Sequence, residues 1–465
     1  MSDSPAFLTL SALSAAIGSR RLSPVEVVDD CLARIDRLEP RLQAFVSVDR
    51  AGARLAAEAA DKAIRAGHQV GPLHGIPIAV KDLVEIAGQV ATGGSAAWRT
   101  RIAGVTATLQ RRLTAAGMIT LGKTHTVEFA YGGWGTNARM GTPRNPWDDA
   151  VHRTPGGSSS GSGVAVGARL APVAIGTDTG GSVRVPAAWN GITGLKTTIG
   201  RISVHGVLPL SPTLDTPGPI TRSVEDAAIL LELLQGFDPL DPLTRGREPS
   251  RPMPTLRRGV RGLRIGRMPA GERAGVDPAV LAAFDASCAL LATLGAEVVD
   301  LALPFAFAEL GAINGRIMSA EAYAKLAEIV DDPAQPIDPA VRPRVQAGAS
   351  ISSRDYLRAL EQRERLKSAY AAATEGLDAV LTPTTMTPPI PVAQVDQNAT
   401  PAMFTRWVNF LDLCALAIPN GATADGLPLS LQIVCRGHDE ATALRIGWAC
   451  QDATDWHTRI PPLAA

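Results

Sequence analysis

Three short segments of this chain hold residues that could act on one another. Ile78-Ala79-Val80-Lys81-Asp82 ends an apolar run on a lysine. Gly156-Gly157-Ser158-Ser159-Ser160-Gly161-Ser162-Gly163 combines small and hydroxyl side chains. Gly176-Thr177-Asp178-Thr179-Gly180-Gly181-Ser182-Val183-Arg184 closes an apolar strand pattern with a Gly-Gly-Ser turn. The glycines of that turn permit positive φ and close approach of a ligand to the backbone. Successive N–H groups there can converge on one small volume, which is how a backbone stabilises an oxyanion. Ser182, at the end of the turn, is placed as a nucleophile. A serine hydroxyl needs a base, and a lysine serves when burial disfavours its ammonium form. Lys81 is the best-placed lysine for that role. A hydroxyl both donates and accepts, so a serine of the second segment can carry a proton between the two. By composition Ser158, Ser159, Ser160 and Ser162 are equal candidates for this relay.

Each segment alone has a plainer reading. A Ser/Gly stretch is usually a flexible loop, a lysine after an apolar run marks a strand leaving the core, and Gly-Gly-Ser before a helix is most often an N-cap. Asp178 and Arg184 read as an ion pair shaping the turn, not as acid and base. Gly157 to Gly161 formally matches the GxSxG nucleophile elbow with Ser159 at its centre, which requires a preceding strand. His152-Arg153-Thr154-Pro155 is not strand-like. Asp178-Thr179-Gly180 has no second triplet to make a shared-proton carboxylate dyad. His125 and His205 read as packing or surface residues.

Elements must position these groups. Ser23-Pro24-Val25-Glu26 fits a capping box with proline at the first helical position, followed by a helical stripe through Leu38. An Ala-rich helix runs over 51–65, and residues 76–80 predict a buried strand delivering Lys81. A helix over 106–116, a strand over 118–121 and a helix start near Thr124 follow. Residues 132–163 read as a long loop, 164–170 as a helical or strand segment and 173–176 as a strand. The stretch 238–256 reads as a surface excursion. Next come a strand (264–268), a helix (277–294), a helical region (305–374), a strand-like start with an extended tail (381–395), a strand (429–434) and a helix (440–454). This alternation argues for an α/β fold around a mixed, mostly buried sheet.

Composition removes whole classes of function. Apolar residues make up 46% and charged residues 19%, so the chain is not disordered. Lys+Arg and Asp+Glu are both 45, which leaves no field to draw in nucleic acid or an anionic membrane. No run approaches the roughly 18 apolar residues of a membrane helix, and the N-terminus lacks a signal-peptide pattern. Cys31, Cys288, Cys414, Cys435 and Cys450 are odd in number and scattered, against a disulfide framework. The histidines show no ligand spacing, so no metal and no cofactor is expected, and the address expected is cytoplasmic.

Together the three segments resemble the amidase signature family of Ser–Ser–Lys hydrolases. That family's core pattern is GGSSGGS, then GTDTGGSIR, then a GLKPT-like stretch. This chain reads GGSSSGS at 156–162, GTDTGGSVR at 176–184 and GLKTTIGR at 194–201. GIPIAVKD stands at 75–82 and SPTLDTPGPITRSVEDAA at 211–228. The match is dense over roughly residues 70 to 235 and looser at 378–389 and 411–434. Ser160 occupies a usual glycine position, Thr197 replaces a usual proline, and 148–154 is longer than is common.

The resemblance implies an α/β amidase-signature fold: a single large domain over 1–465 with a central mixed β-sheet covered by helices on both faces. Its parts would be an N-terminal helical segment (1–70), a signature core (70–235), a substrate-covering helical region (236–375) and a C-terminal return to the sheet (376–465). It implies Ser182 as a nucleophile forming an acyl-enzyme, Ser158 as the bridging serine behind a cis peptide bond, and Lys81 as the base. The N–H groups of Thr179, Gly180, Gly181 and Ser182 would form the oxyanion hole, and Ala130, Tyr131 and Gly132 would line the substrate site. Ile317, Met318 and residues 403–409, with Phe404 and Trp407, would line the acyl pocket or simply be core. The implied activity is a serine amidohydrolase cleaving small amides, aryl amides, ureas or carbamates (a urethanase in the last case). The alternative is the amidase subunit of a glutamine-dependent tRNA amidotransferase. The expected partner of the free enzyme is a small amide or carbamate, with no nucleic acid, no membrane and a homodimer left open.

Overall fold

The run Pro77–Lys81 is buried at every residue, the pattern of a strand covered on both faces. In the computed structural model, which describes residues 4–465, it is strand β2 of an 11-stranded mixed sheet. The other strands are β1 (Phe45–Val48), β3 (Ile119–Thr124), β4 (Ala174–Asp178), β5 (Thr193–Lys196), β6 (Thr216–Thr221), β7 (Arg264–Arg267), β8 (Glu297–Asp300), β9 (Ala379–Pro383), β10 (Cys414–Ala422) and β11 (Pro428–Cys435). Their order is β1-β3-β2-β4-β6-β5-β10-β11-β9-β7-β8. β2 runs parallel to both β3 and β4, and β4 antiparallel to β6.

Thirteen helices pack around the sheet among the described residues: α1 (Leu10–Gly18), α2 (Pro24–Leu42), α3 (Arg50–Arg65), α4 (Thr108–Ala115), α5 (Ser160–Gly167), α6 (Arg184–Asn190), α7 (Val224–Leu234), α8 (Pro278–Thr293), α9 (Phe307–Val330), α10 (Arg342–Gln346), α11 (Ser353–Ala373), α12 (Met403–Phe410) and α13 (Glu440–Ala453). Successive β2 side chains point to opposite faces. Ile78 and Val80 join a core with α1, α4, α7 and α9, whereas Ala79 joins a second core with α2, α3 and α5. Helices therefore cover both faces, as the α/β reading requires. Among the described residues no helix is long and apolar enough to cross a membrane.

The Ser23 capping box forms, with Glu26 N–H donating to Ser23 Oγ and Ser23 N–H to Glu26 Oε2. The helix start expected near Thr124 does not. Thr124 ends β3, and a short 3₁₀ turn, Glu128–Ala130, follows with Phe129 and Ala130 at positive φ. The loop expected over 132–163 ends early, because Ser160 already begins α5. Its small residues serve packing: a Cβ on Gly161 would stand 2.1 Å from Ala44 O and 2.4 Å from His125 N. Strands β1, β5, β6, β8 and β10 fall outside the strands expected from the sequence. β6 contains Pro217 and Pro219, which read as breakers because they cannot donate to a ladder.

Candidate active site

Lys81 is the last residue of β2, and its side chain is fully buried. Its Nζ donates to Ser158 Oγ and to Thr177 Oγ1, each at 2.8 Å. The parallel pairing of β2 with β4 brings Thr177 alongside the lysine. Burial pushes the Lys81 ammonium down to about 7, against the opposing pull of Asp178 and Asp215. Ser158 arrives from the opposite side, behind a cis Gly157–Ser158 peptide bond. Its carbonyl accepts from Val127 N–H at 3.1 Å and Ser160 N–H at 2.8 Å.

The neighbouring hydroxyls are engaged elsewhere. Ser159 Oγ donates to Thr177 O and accepts from Thr177 N–H, both at 3.2 Å. Ser162 Oγ lies 2.7 Å from Thr124 Oγ1 and donates to Ile175 O at 3.0 Å. Ser160 Oγ faces His125 O at 3.5 Å. Geometry thus separates what composition left equal: Ser158 alone of the four touches Lys81. His125 is buried, and that burial lowers its imidazole to about 4. It packs against α5 and reaches none of the three groups by hydrogen bond.

Ser182 closes the turn between β4 and α6. Among the described residues its hydroxyl makes no hydrogen bond, and Ser159 N–H donates to its carbonyl at 3.2 Å. The turn is organised by the Asp178 carboxylate, which accepts from Gly181 N–H at 2.7 Å and Val183 N–H at 3.0 Å. Arg184 grips the same carboxylate through Nη2 at 2.8 Å and Nε at 3.0 Å, with both side chains wholly buried. Burial alone would raise the Asp178 carboxyl, but the Arg184 charge and hydrogen bonds outweigh it and hold it well below the usual range. The Gly181 N–H is therefore committed to Asp178, so it is not a free oxyanion donor. The N–H groups of Thr179, Gly180 and Ser182 have no hydrogen-bond acceptor among the described residues.

Helix α12 is fastened to this turn. Thr405 Oγ1 donates to Gly180 O at 2.7 Å, Arg184 Nη1 to Thr405 O at 3.0 Å, and Arg184 Nη2 to Asn409 Oδ1 at 2.6 Å. Thr179 Oγ1 donates to Asp215, a buried carboxyl that burial pushes up to about 6.

A cavity of about 260 Å³ opens over Ser182, lined by Ala130, Tyr131 and Gly132 together with Thr179, Gly180 and Gly181. Met318 lines it, but Ile317 is buried away from it. Phe404 and Trp407 are core rather than pocket: Trp407 stacks on Phe307 with ring centroids 4.9 Å apart. What does reach the cavity here is Ala402, which caps α12, and Arg406 on the helix, joined by Arg344 of α10 and by Trp134. Nothing in their local pattern marks Thr177, Asp215 or Arg344, whereas Arg406 falls within the 403–409 segment that the resemblance places at the acyl pocket. A larger groove of about 870 Å³ between α1, α4 and α7 holds none of Lys81, Ser158 or Ser182.

The family model that matches the chain is Amidase, over residues 26–444. The 2-amino-5-chloromuconic acid deaminase of Comamonas testosteroni is 39% identical, covering 96% of this chain and 95% of the relative. A glutamyl-tRNA(Gln) amidotransferase subunit from Roseiflexus sp. (strain RS-1) is 38% identical over 98% of each chain. Among solved structures, one described as an unexpected vestigial protein complex revealing the origins of an s-triazine catabolic enzyme superposes with a TM-score of 0.89. It is 32% identical and covers 96% of this chain and 98% of its own.

Proposed function

The chain belongs to the amidase family and is a hydrolase of carbon–nitrogen bonds; from that premise we propose that it is a free-standing serine amidohydrolase working through Lys81, Ser158 and Ser182. The observation that carries this reading is the 2.8 Å contact between a buried lysine amine and the Ser158 hydroxyl, beneath the turn that presents Ser182. At neutral pH much of the Lys81 population is an amine, because its pKa stands near 7. Ser182 Oγ attacks the substrate carbonyl while its proton passes through Ser158 Oγ to Lys81 Nζ. The N–H groups of Thr179, Gly180 and Ser182 receive the developing oxyanion. The same relay returns the proton to the leaving nitrogen as the C–N bond breaks. Water then cleaves the acyl-enzyme by the reverse path.

Ala130, Tyr131 and Gly132 form one wall for a small amide, aryl amide, urea or carbamate, and a cytoplasmic address fits this role. The test is covalent labelling by a serine-reactive fluorophosphonate, coupled to hydrolysis of a panel of amides, anilides, ureas and urethanes. Labelling lost in Ser182→Ala supports the reading; an active wild type that never labels overturns it. The likeness to the amidotransferase subunit over 98% of both chains supports a second reading, an ammonia-delivering subunit. Glutamine hydrolysis that appears only with a partner subunit would favour it.

A further inference from the structure

Of the described side chains lining the cavity over Ser182, only Arg344 and Arg406 carry a formal charge. The two guanidiniums differ in how they are held. Arg344 donates through Nη1 to Tyr131 O at 2.9 Å and through Nη2 to Gln397 Oε1 at 2.9 Å and Gln397 O at 2.5 Å. Arg406 makes no side-chain hydrogen bond and no ion pair among the described residues, although a guanidinium offers five donors. A cation facing a small, acid-free cavity without a partner is costly to keep unless something else supplies the anion.

Its placement is not loose. Arg406 sits on α12, next to Thr405, whose hydroxyl is bonded to Gly180 O. The Arg406 stem crosses the nucleophile turn: a Cβ on Gly180 would stand 3.2 Å from Arg406 Cγ and 4.0 Å from its Nε. Gly180 precedes Ser182 by two residues, at most about 7 Å of chain. A group held by Arg406 therefore lies within a short spacer of a carbonyl at Ser182.

We propose that Arg406 binds a carboxylate of the substrate, so that the compounds cleaved are short amides or ureido compounds bearing a carboxylate near the scissile carbonyl. The inference rests on Ser182 being the nucleophile. A planar guanidinium with all its donors free matches a carboxylate bidentately, and such a pair positions as well as binds.

The experiment compares malonamate, succinamate and glutaramate with their neutral diamides, in wild type and in Arg406→Gln and Arg406→Lys. For at least one length, wild type is expected to favour the acid in kcat/KM by about 30-fold or more, as a charge-assisted contact supplies. Arg406→Gln should erase that ratio, chiefly through KM, and Arg406→Lys should restore part of it. A wild type indifferent to the carboxylate, or an Arg406→Gln that keeps the preference, overturns the inference. Calorimetric binding of malonate, succinate and glutarate reads Arg406 without turnover: tighter binding to wild type than to Arg406→Gln is expected, and equal or absent binding overturns it. Fluorophosphonate labelling of Ser182 separates the two failures, since labelling without carboxylate binding leaves the serine chemistry standing.

Discussion

Thr177 Oγ1 accepts from Lys81 Nζ at 2.8 Å, the same distance at which Ser158 Oγ accepts from it. The amine is thus held between a strand residue that fixes it and a loop residue that can pass its proton on. Asp178 and Asp215 pull its pKa upward and burial pulls it down further, leaving about 7. The lysine is poised because burial outweighs the pull of the two carboxylates.

Activity should follow from that balance. If neutral Lys81 is the working form, kcat/KM rises with pH along a limb centred near 7 and levels above it. Steady-state rates on one amide across the neutral range check this; a flat profile contradicts a lysine base.

Removing the Thr177 hydroxyl takes away an acceptor of the ammonium while leaving the burial in place. Thr177→Val should shift the limb to lower pH by about one unit, the scale of one charge-assisted hydrogen bond. An unmoved limb would mean that Thr177 does not set the lysine's protonation.

Stability should carry the same signature. The unfolded chain holds a proton on Lys81 below 10.5, the folded protein only below about 7. Between those values the unfolded state binds more protons, so the Lys81 contribution to stability rises with pH across that window. Lys81→Met removes the group. Urea unfolding should therefore show the variant's relative advantage greatest at the low end of the window and shrinking by a few kcal/mol, to order of magnitude, toward the high end.

The Asp178–Arg184 pair should behave as a structural unit. Arg184→Met strands a buried carboxylate and should cost about 3–5 kcal/mol in urea unfolding. Adding Asp178→Asn should recover part of that loss, which a double-mutant cycle measures.

Gly181 has φ of 131°, and a Cβ there would lie 2.2 Å from Thr405 Oγ1 and 2.8 Å from Thr405 Cβ. Gly181→Ala should push α12 off the turn and lower kcat/KM by about 100-fold or more, since small displacements at a reacting centre are expensive. Kinetics together with a thermal melt check it.

The placement of Lys81 at a strand end and of Ser182 in a turn could be read from the chain because their local patterns, an apolar strand ending on a lysine and a Gly-Gly-Ser turn, reflect local physics. The choice among Ser158, Ser159, Ser160 and Ser162 could not, since it depends on which way each hydroxyl faces once α5 docks on β4. Pro217 and Pro219 hid β6, whose existence follows from its pairing with β4 rather than from propensity. Phe404 and Trp407 are equally plausible as pocket or core by type, and only the stacking on Phe307 decides. Arg406 stands between Thr405 and Trp407, where no spacing rule shows that its side of the helix meets a cavity.

The desolvation that lowers Lys81 exists only in the finished fold. Lys81, Ser158 and Thr177 come from widely separated stretches of chain, and the lysine is dry only when β2 lies between β3 and β4 with helices over both faces. A nascent or partly unfolded chain hydrates that amine and restores its proton. If Lys81 is the base proposed for Ser182, that serine then has none. On that reading the base forms only together with the walls of the cavity over Ser182, so reactivity and selectivity would arrive in one folding step.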